Sequence, residues 1–209
     1  MTFRTEEKYF CEYNNVGKVF NWLRYINAKK LYPKRYISSL YFDTFDSKLL
    51  TESEEGIVPR KKIRFRSYQK NFDFEKEIFK EIKINSVEGK FKITEKIQPN
   101  LIKNILNNGL YLNDYGFCEP KIYVTYLRDY MKFENIRLTI DRNISYKVYD
   151  KFYRKNMFQF NDHNMVIEIK CPFNTNYDIL NSFPLNKRRF SKYARGMMYI
   201  KGQIQNIIN

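Results

Sequence analysis

The stretch Lys61-Lys62-Ile63-Arg64-Phe65-Arg66-Ser67-Tyr68 sets the fold class, because large cations recur in it at every second position. Successive side chains of a β-strand point to opposite faces, so Lys62, Arg64 and Arg66 share one face and Ile63 and Phe65 the other. One such strand, taken alone, reads as half-exposed with a solvated basic stripe. At least four further segments repeat the pattern, and a sheet with cations along one face describes a surface built to hold an anion.

Outward from this stretch, residues 2–10 read as a strand with Arg4, Glu6 and Lys8 on one face. Asn14 or Asn15 caps a predicted helix to about Lys30, with the stripe Val16, Val19, Phe20, Leu23 and Ile26. Residues 35–43 are extended, with Ser39, Tyr41 and Asp43 opposite Leu40 and Phe42. Residues 44–59 read as a polar loop with one helical turn at 47–52. Strands follow at 72–85 and 90–97, then a helix at 98–108 ending at Gly109. Three more strands, 121–130, 136–146 and 165–171, carry Tyr126, Arg128, Arg137, Thr139, Asp141, Glu168 and Lys170 on their charged faces. A helix is expected at 173–182, and Ser191 caps a closing helix towards Ile207. Seven or eight strands with few, short helices make a mainly antiparallel α+β fold in one domain, residues 1–209.

The charge balance defines the partner. Lys and Arg total 38 against 23 Asp and Glu, a formal charge of +15, so nucleic acid, an anionic membrane surface or a polyphosphorylated small molecule all suit. With 18 Tyr and 18 Phe the chain is folded and strand-rich rather than a basic tail. Cys11, Cys118 and Cys171 are odd in number and have no CxxC spacing, so neither a disulfide framework nor a zinc site is indicated, and a reducing cytosol is expected. No run approaches the ~20 apolar residues of a membrane span, and membrane association is expected only through a partner. Nucleic acid is disfavoured, since the cations lie on separate strands interleaved with carboxylates.

In order along the chain, Phe3-Arg4-Thr5-Glu6-Glu7-Lys8-Tyr9, Ser39-Leu40-Tyr41-Phe42-Asp43-Thr44, Lys62-Ile63-Arg64-Phe65-Arg66, Glu81-Ile82-Lys83, Tyr126-Leu127-Arg128, Arg137-Leu138-Thr139-Ile140-Asp141, Glu168-Ile169-Lys170 and Arg189-Phe190-Ser191-Lys192-Tyr193 resemble the signatures of the VTC domain. This is the polyphosphate polymerase branch of the triphosphate tunnel metalloenzymes, relatives of the CYTH proteins. The resemblance implies an antiparallel β-barrel whose cation-lined tunnel takes ATP and inorganic polyphosphate, and transfer of the γ-phosphate to the growing chain. By it, Lys8, Arg64, Arg66, Arg128 and Arg137 are the catalytic cations, and Lys83, Lys170, Arg189, Ser191 and Lys192 bind phosphate. Tyr126 contacts the nucleotide, and Glu168 holds the metal, Mn²⁺ or Mg²⁺. Control and coupling to a membrane protein are expected in trans.

Two departures bear on the reaction. CYTH hydrolases begin with two glutamates and a lysine on alternating residues, where this chain has Arg4, Glu6 and Lys8. Arg189 stands where the family more often has Lys, which exchanges a point charge for a planar fork. A polyphosphate terminus is already ionised near neutral pH and needs no general base, whereas a hydrolase must activate water. A non-catalytic polyphosphate-binding module and a metal-dependent triphosphate hydrolase stay open. So do plainer roles: Arg128 and Asp141 as a cross-strand ion pair worth about 0.2–1 kcal/mol, Glu6 and Glu81 as orienters of cations, Tyr126 as packing and His163 as a loop residue.

Overall fold

The computed structural model describes residues 4–151, 159–172, 175, 177–200 and 202, with Arg4 and Tyr177 as backbone only. Among the described residues ten strands and five α-helices follow one another as β1 (Arg4–Cys11), α1 (Val16–Tyr25), β2 (Lys29–Asp43), α2 (Lys48–Glu55), β3 (Arg60–Ser67), β4 (Phe79–Ser86), β5 (Gly89–Lys96), α3 (Pro99–Asn108), β6 (Leu110–Leu112), β7 (Gly116–Phe133), β8 (Ile136–Val148), β9 (Gln159–Asp162), β10 (Met165–Pro172), α4 (Tyr177–Asn181) and α5 (Lys192–Ile200). The strand order is β1-β10-β8-β7-β2-β3-β4-β5, with β6 on β7 and β9 on β8. The expected α+β class with an antiparallel sheet is what forms, and its hydrogen-bonded ladder is open, ending at β1 and β5.

The chain divides into two compact units. The first comprises Met1–Tyr36, Tyr126–Ile144 and Asn161–Phe190. Its core is the apolar face of β1, β8 and β10, Tyr9, Leu138, Ile140, Ile167 and Ile169, closed by Trp22 and Leu23 of α1 and by Leu180 and Phe183. The period-two alternation that buries Ile167 and Ile169 turns Glu168 and Lys170 to the other face. The α1 stripe differs from expectation: Trp22 is buried and donates from its indole N–H to Ser182 Oγ at 2.9 Å, while Phe20 faces outward, 39% exposed. The helix also stops early, because Asn27 adopts a left-handed φ of 54° and the N–H of Ala28 returns to the carbonyl of Leu23.

The second unit comprises Ile37–Thr125, Ser145–Phe160 and Ser191–Asn209. Leu40, Phe42, Ile63 and Phe65 form its core with Ile102 and Ile105 of α3. Residues 72–78, expected as strand, are irregular: Asp73 Oδ1 accepts the N–H of Glu75 at 2.9 Å in an Asx turn, and Phe72 and Phe74 pack on the same core. The loop expected over 44–59 holds the full helix α2. In α5, Gly196 permits a close approach, since a Cβ there would lie 2.6 Å from both Ile122 and the Tyr146 ring. The expected helix start at 173–176, apart from Thr175, and the run from 201 to 207, apart from Gly202, lie outside the described residues.

Candidate active site

In the second unit the register of β3 against β4 sets Arg64 opposite Glu81 and Arg66 opposite Phe79. Directly opposed side chains share a face. Arg64 donates from Nε and Nη2 to Glu81 Oε2 at 2.7 and 2.5 Å, and Arg66 Nη1 donates to Glu81 Oε1 at 3.3 Å. Lys92 of β5 adds a third cation, 2.5 Å from the same carboxylate. Three cations therefore converge on one buried anion. Burial alone would raise the Glu81 carboxyl, but Arg64 and Arg66 hold it at about 2.

Arg64 Nη1 also donates to the phenolic oxygen of Tyr41 at 2.9 Å. Burial pushes that phenol up, yet the charges of Arg64, Arg66 and Lys83 bring it down to about 8. The Tyr41 ring stacks on Tyr193 of α5 with centroids 5.0 Å apart. At the start of α5, Ser191 Oγ accepts from Lys62 Nζ at 3.0 Å and from the N–H of Ala194 at 3.3 Å, so Ser191 is the expected N-cap and also holds a cation. Lys192 is the first residue of the helix.

In the first unit, β1 and β10 place Glu6 opposite Lys170 and Lys8 opposite Glu168. An ion-pair chain results: Lys8 to Glu6 at 3.5 Å, Lys170 to Glu6 at 3.5 Å and Lys170 to Glu168 at 2.9 Å. Burial would raise the Glu168 carboxyl, but Lys170, Lys8 and Arg128 keep it at about 2. Arg128 makes a bidentate pair with buried Asp141, at 2.6 and 2.7 Å, and lies 5.3 Å from the Tyr126 ring centroid. The cross-strand pair read from the sequence is formed. Arg137, opposite Lys170 in register, is exposed, as is Arg189.

The expected residues thus fall into two groups: Arg64, Arg66 and Lys83 with Ser191 and Lys192, and Lys8, Tyr126, Arg128, Arg137, Glu168 and Lys170 with Arg189. Sequence reasoning passed over Lys92 and Tyr41 as site residues. The signal for Lys92 was the alternation Lys90, Lys92, Lys96 in β5, and for Tyr41 its place beside Ser39 and Asp43. Among the described residues no group of three or more His, Cys, Asp and Glu could hold a metal ion. Glu168 offers one carboxylate, ringed by Lys170, Lys8 and Arg128, so a hard divalent ion held there would take its remaining ligands from phosphate oxygens and water rather than from an all-protein cage.

In each unit arginines and lysines gather around carboxylates on one face of the antiparallel sheet. The VTC domain model matches residues 3–115 and 106–201, and the chain belongs to that family. Among solved structures, a candidate adenylate cyclase from Bacillus halodurans aligns with a TM-score of 0.57 at 12% identity, over 91% of this chain and 94% of that one. A Pyrococcus horikoshii protein gives 0.54 at 10%, over 92% and 99%. A candidate adenylyl cyclase from Hippeastrum, described as having a dominant triphosphatase activity, gives 0.51 at 14%, over 96% and 97%. At these identities the likeness is one of fold. No curated protein matches the sequence. Among the described residues no helix is long and apolar enough to cross a membrane.

Proposed function

We propose that this chain, acting as one VTC-type domain over residues 1–209, is a polyphosphate polymerase that transfers the γ-phosphate of ATP to a growing polyphosphate chain. The observation that carries the reading is the ionisation of the two site carboxylates. Glu81 and Glu168, both at about 2, are far too acidic to serve as general bases near neutral pH, where a base works best with a matching pKa. They keep cations in place instead. A phosphate terminus needs no base, and what it needs is neutralisation of oxygens and in-line positioning. Lys8, Arg64, Arg66, Arg128 and Arg137 supply the first, with Lys83, Lys170, Arg189, Ser191 and Lys192 holding phosphates and Tyr126 beside the nucleotide. Glu168 would hold Mn²⁺ or Mg²⁺, which when bound neutralises phosphate charge.

The test is incubation of the purified protein with ATP and Mn²⁺, followed by gel analysis. A polyphosphate ladder is expected, and Glu168→Ala should abolish it while the affinity for tripolyphosphate is kept. A ladder made normally by Glu168→Ala removes Glu168 from the site. One observation favours a second reading, a triphosphate hydrolase: the Tyr41 hydroxyl, brought down to about 8 and held by Arg64, ionises more readily than an ordinary phenol, and as phenolate it would serve as the base for an attacking water. Free phosphate without a ladder, lost in Tyr41→Phe, would establish that reading in place of the polymerase.

A further inference from the structure

A pocket of about 330 Å³ opens in the first unit, lined by Leu31 of β2, by Lys132, Glu134, Asn135 and Arg137 around the β7–β8 turn, and by the end of β10 from Lys170 to Pro172. Its volume is at the small end of the roughly 300–1,000 Å³ of ligand sites. Three cations and one carboxylate line it. Arg137 and Lys132 make neither an ion pair nor a side-chain hydrogen bond with other described residues, in contrast to Lys170, which Glu168 and Glu6 engage. Two unpaired cations beside a paired one leave the pocket short of negative charge. Among the described residues of the lining none is aromatic, so these offer no platform on which a base could stack. Phosphate oxygens suit its cations.

Its position along the strands says which phosphates. Lys170 follows Glu168 by two residues on the same face, a step of about 7 Å along β10. Arg137 lies directly opposite Lys170 across the ladder, and Lys132 stands beyond it at the turn. A linear anion passing Glu168 therefore meets Lys170 and Arg137 next, in the pocket that Lys132 also lines. We propose that this pocket is a distal phosphate subsite in which Lys132, which no motif singled out, takes hold of the polyphosphate chain away from its reacting end. The proposal rests on the polymerase reading for its choice of ligand. Simultaneous contact at two places makes a long chain bind more tightly than a short one, since the second contact is intramolecular.

The experiment measures binding by calorimetry, without turnover, of long-chain polyphosphate and of tripolyphosphate to the full chain and to Lys132→Ala, Lys132→Arg and Glu134→Gln. Lys132→Ala should weaken long-chain binding by about fivefold more than tripolyphosphate binding, the scale of one exposed charge contact. Lys132→Arg should restore it. Glu134→Gln, which removes the one carboxylate among the described residues of the lining, should tighten it. Long-chain affinity unchanged in Lys132→Ala, or an equal loss for both probes, overturns the subsite while leaving the polymerase reading intact. A parent protein that binds long-chain polyphosphate but makes no ladder from ATP does the reverse. A parent that binds no polyphosphate overturns both.

Discussion

Glu81 shows what a single carboxylate does for a cluster of cations. Arg64, Arg66 and Lys92 would repel one another on a largely buried face, and one carboxylate, 1% exposed, gathers all three. Its ionisation is bound up with folding. The folded carboxyl sits at about 2, below its ordinary value near 4.5, so the stability it contributes is present in full above about pH 4.5 and drains away as pH falls towards 2. Glu81→Gln leaves the cations uncompensated and should cost about 3–5 kcal/mol in urea unfolding at pH 7. The variant should also lose less further stability than the parent between pH 5 and pH 2, and parallel acid profiles would remove Glu81 from the account. The sequence showed Glu81 alternating with Lys83, which suffices to place it among cations. That two arginines fold over it was not legible, because the pairing register of β3 with β4 decides it.

At the scale of elements, α2 was the helix most underestimated, and its cap explains why. Ser47 is its local N-cap position, but Ser47 has a left-handed φ of 62° and makes no side-chain capping bond. Asp43, at the end of β2, does the work instead: Oδ1 accepts the N–H groups of Thr44 and Leu49, and Oδ2 accepts that of Leu50. Tyr193 of α5 donates its hydroxyl to Oδ2 at 2.5 Å. A strand end, a helix start and a helix 150 positions further on thus meet at one buried carboxylate, a junction that no local spacing announces. Several local signals were read correctly, as in the β4–β5 hairpin, α3 with its terminal Gly109 and the Ser191 cap, while the Asx turn at Asp73 was not. Asp43→Ala removes the cap and strands the Tyr193 hydroxyl, and should cost about 2–4 kcal/mol by urea denaturation. Tyr193→Phe, losing one hydrogen bond to a charged group, should cost about 1.5–3 kcal/mol. Because both variants break the same bond, the double variant should be less destabilised than the sum, and simple additivity would mean that the contact contributes nothing.

For the molecule as a whole, the alternation of charge and grease in the sequence announced antiparallel strands with a cationic face, and that much was legible because period two fixes the face of every residue. The formal charge of +15 makes a separate demand, since self-repulsion opposes the compact state. Sodium chloride should raise the melting temperature modestly by screening, and tripolyphosphate should raise it far more at much lower concentration by binding. At a hundred times its dissociation constant a ligand stabilises by about 2.7 kcal/mol. For a chain of this size that corresponds to about 5–10 °C. The two mechanisms part company in Arg64→Ala/Arg66→Ala. Removing two cations takes the formal charge from +15 to 15 − 2 = +13, so general neutralisation predicts that most of the tripolyphosphate shift survives. Binding at a built site predicts that most of it disappears, because the lost pair are the side chains whose planar forks match phosphate oxygens. The double variant should therefore lose most of the ligand-induced shift while its response to sodium chloride stays close to that of the parent. A shift that survives in proportion to the remaining charge would show that Arg64 and Arg66 attract polyanions without forming their site.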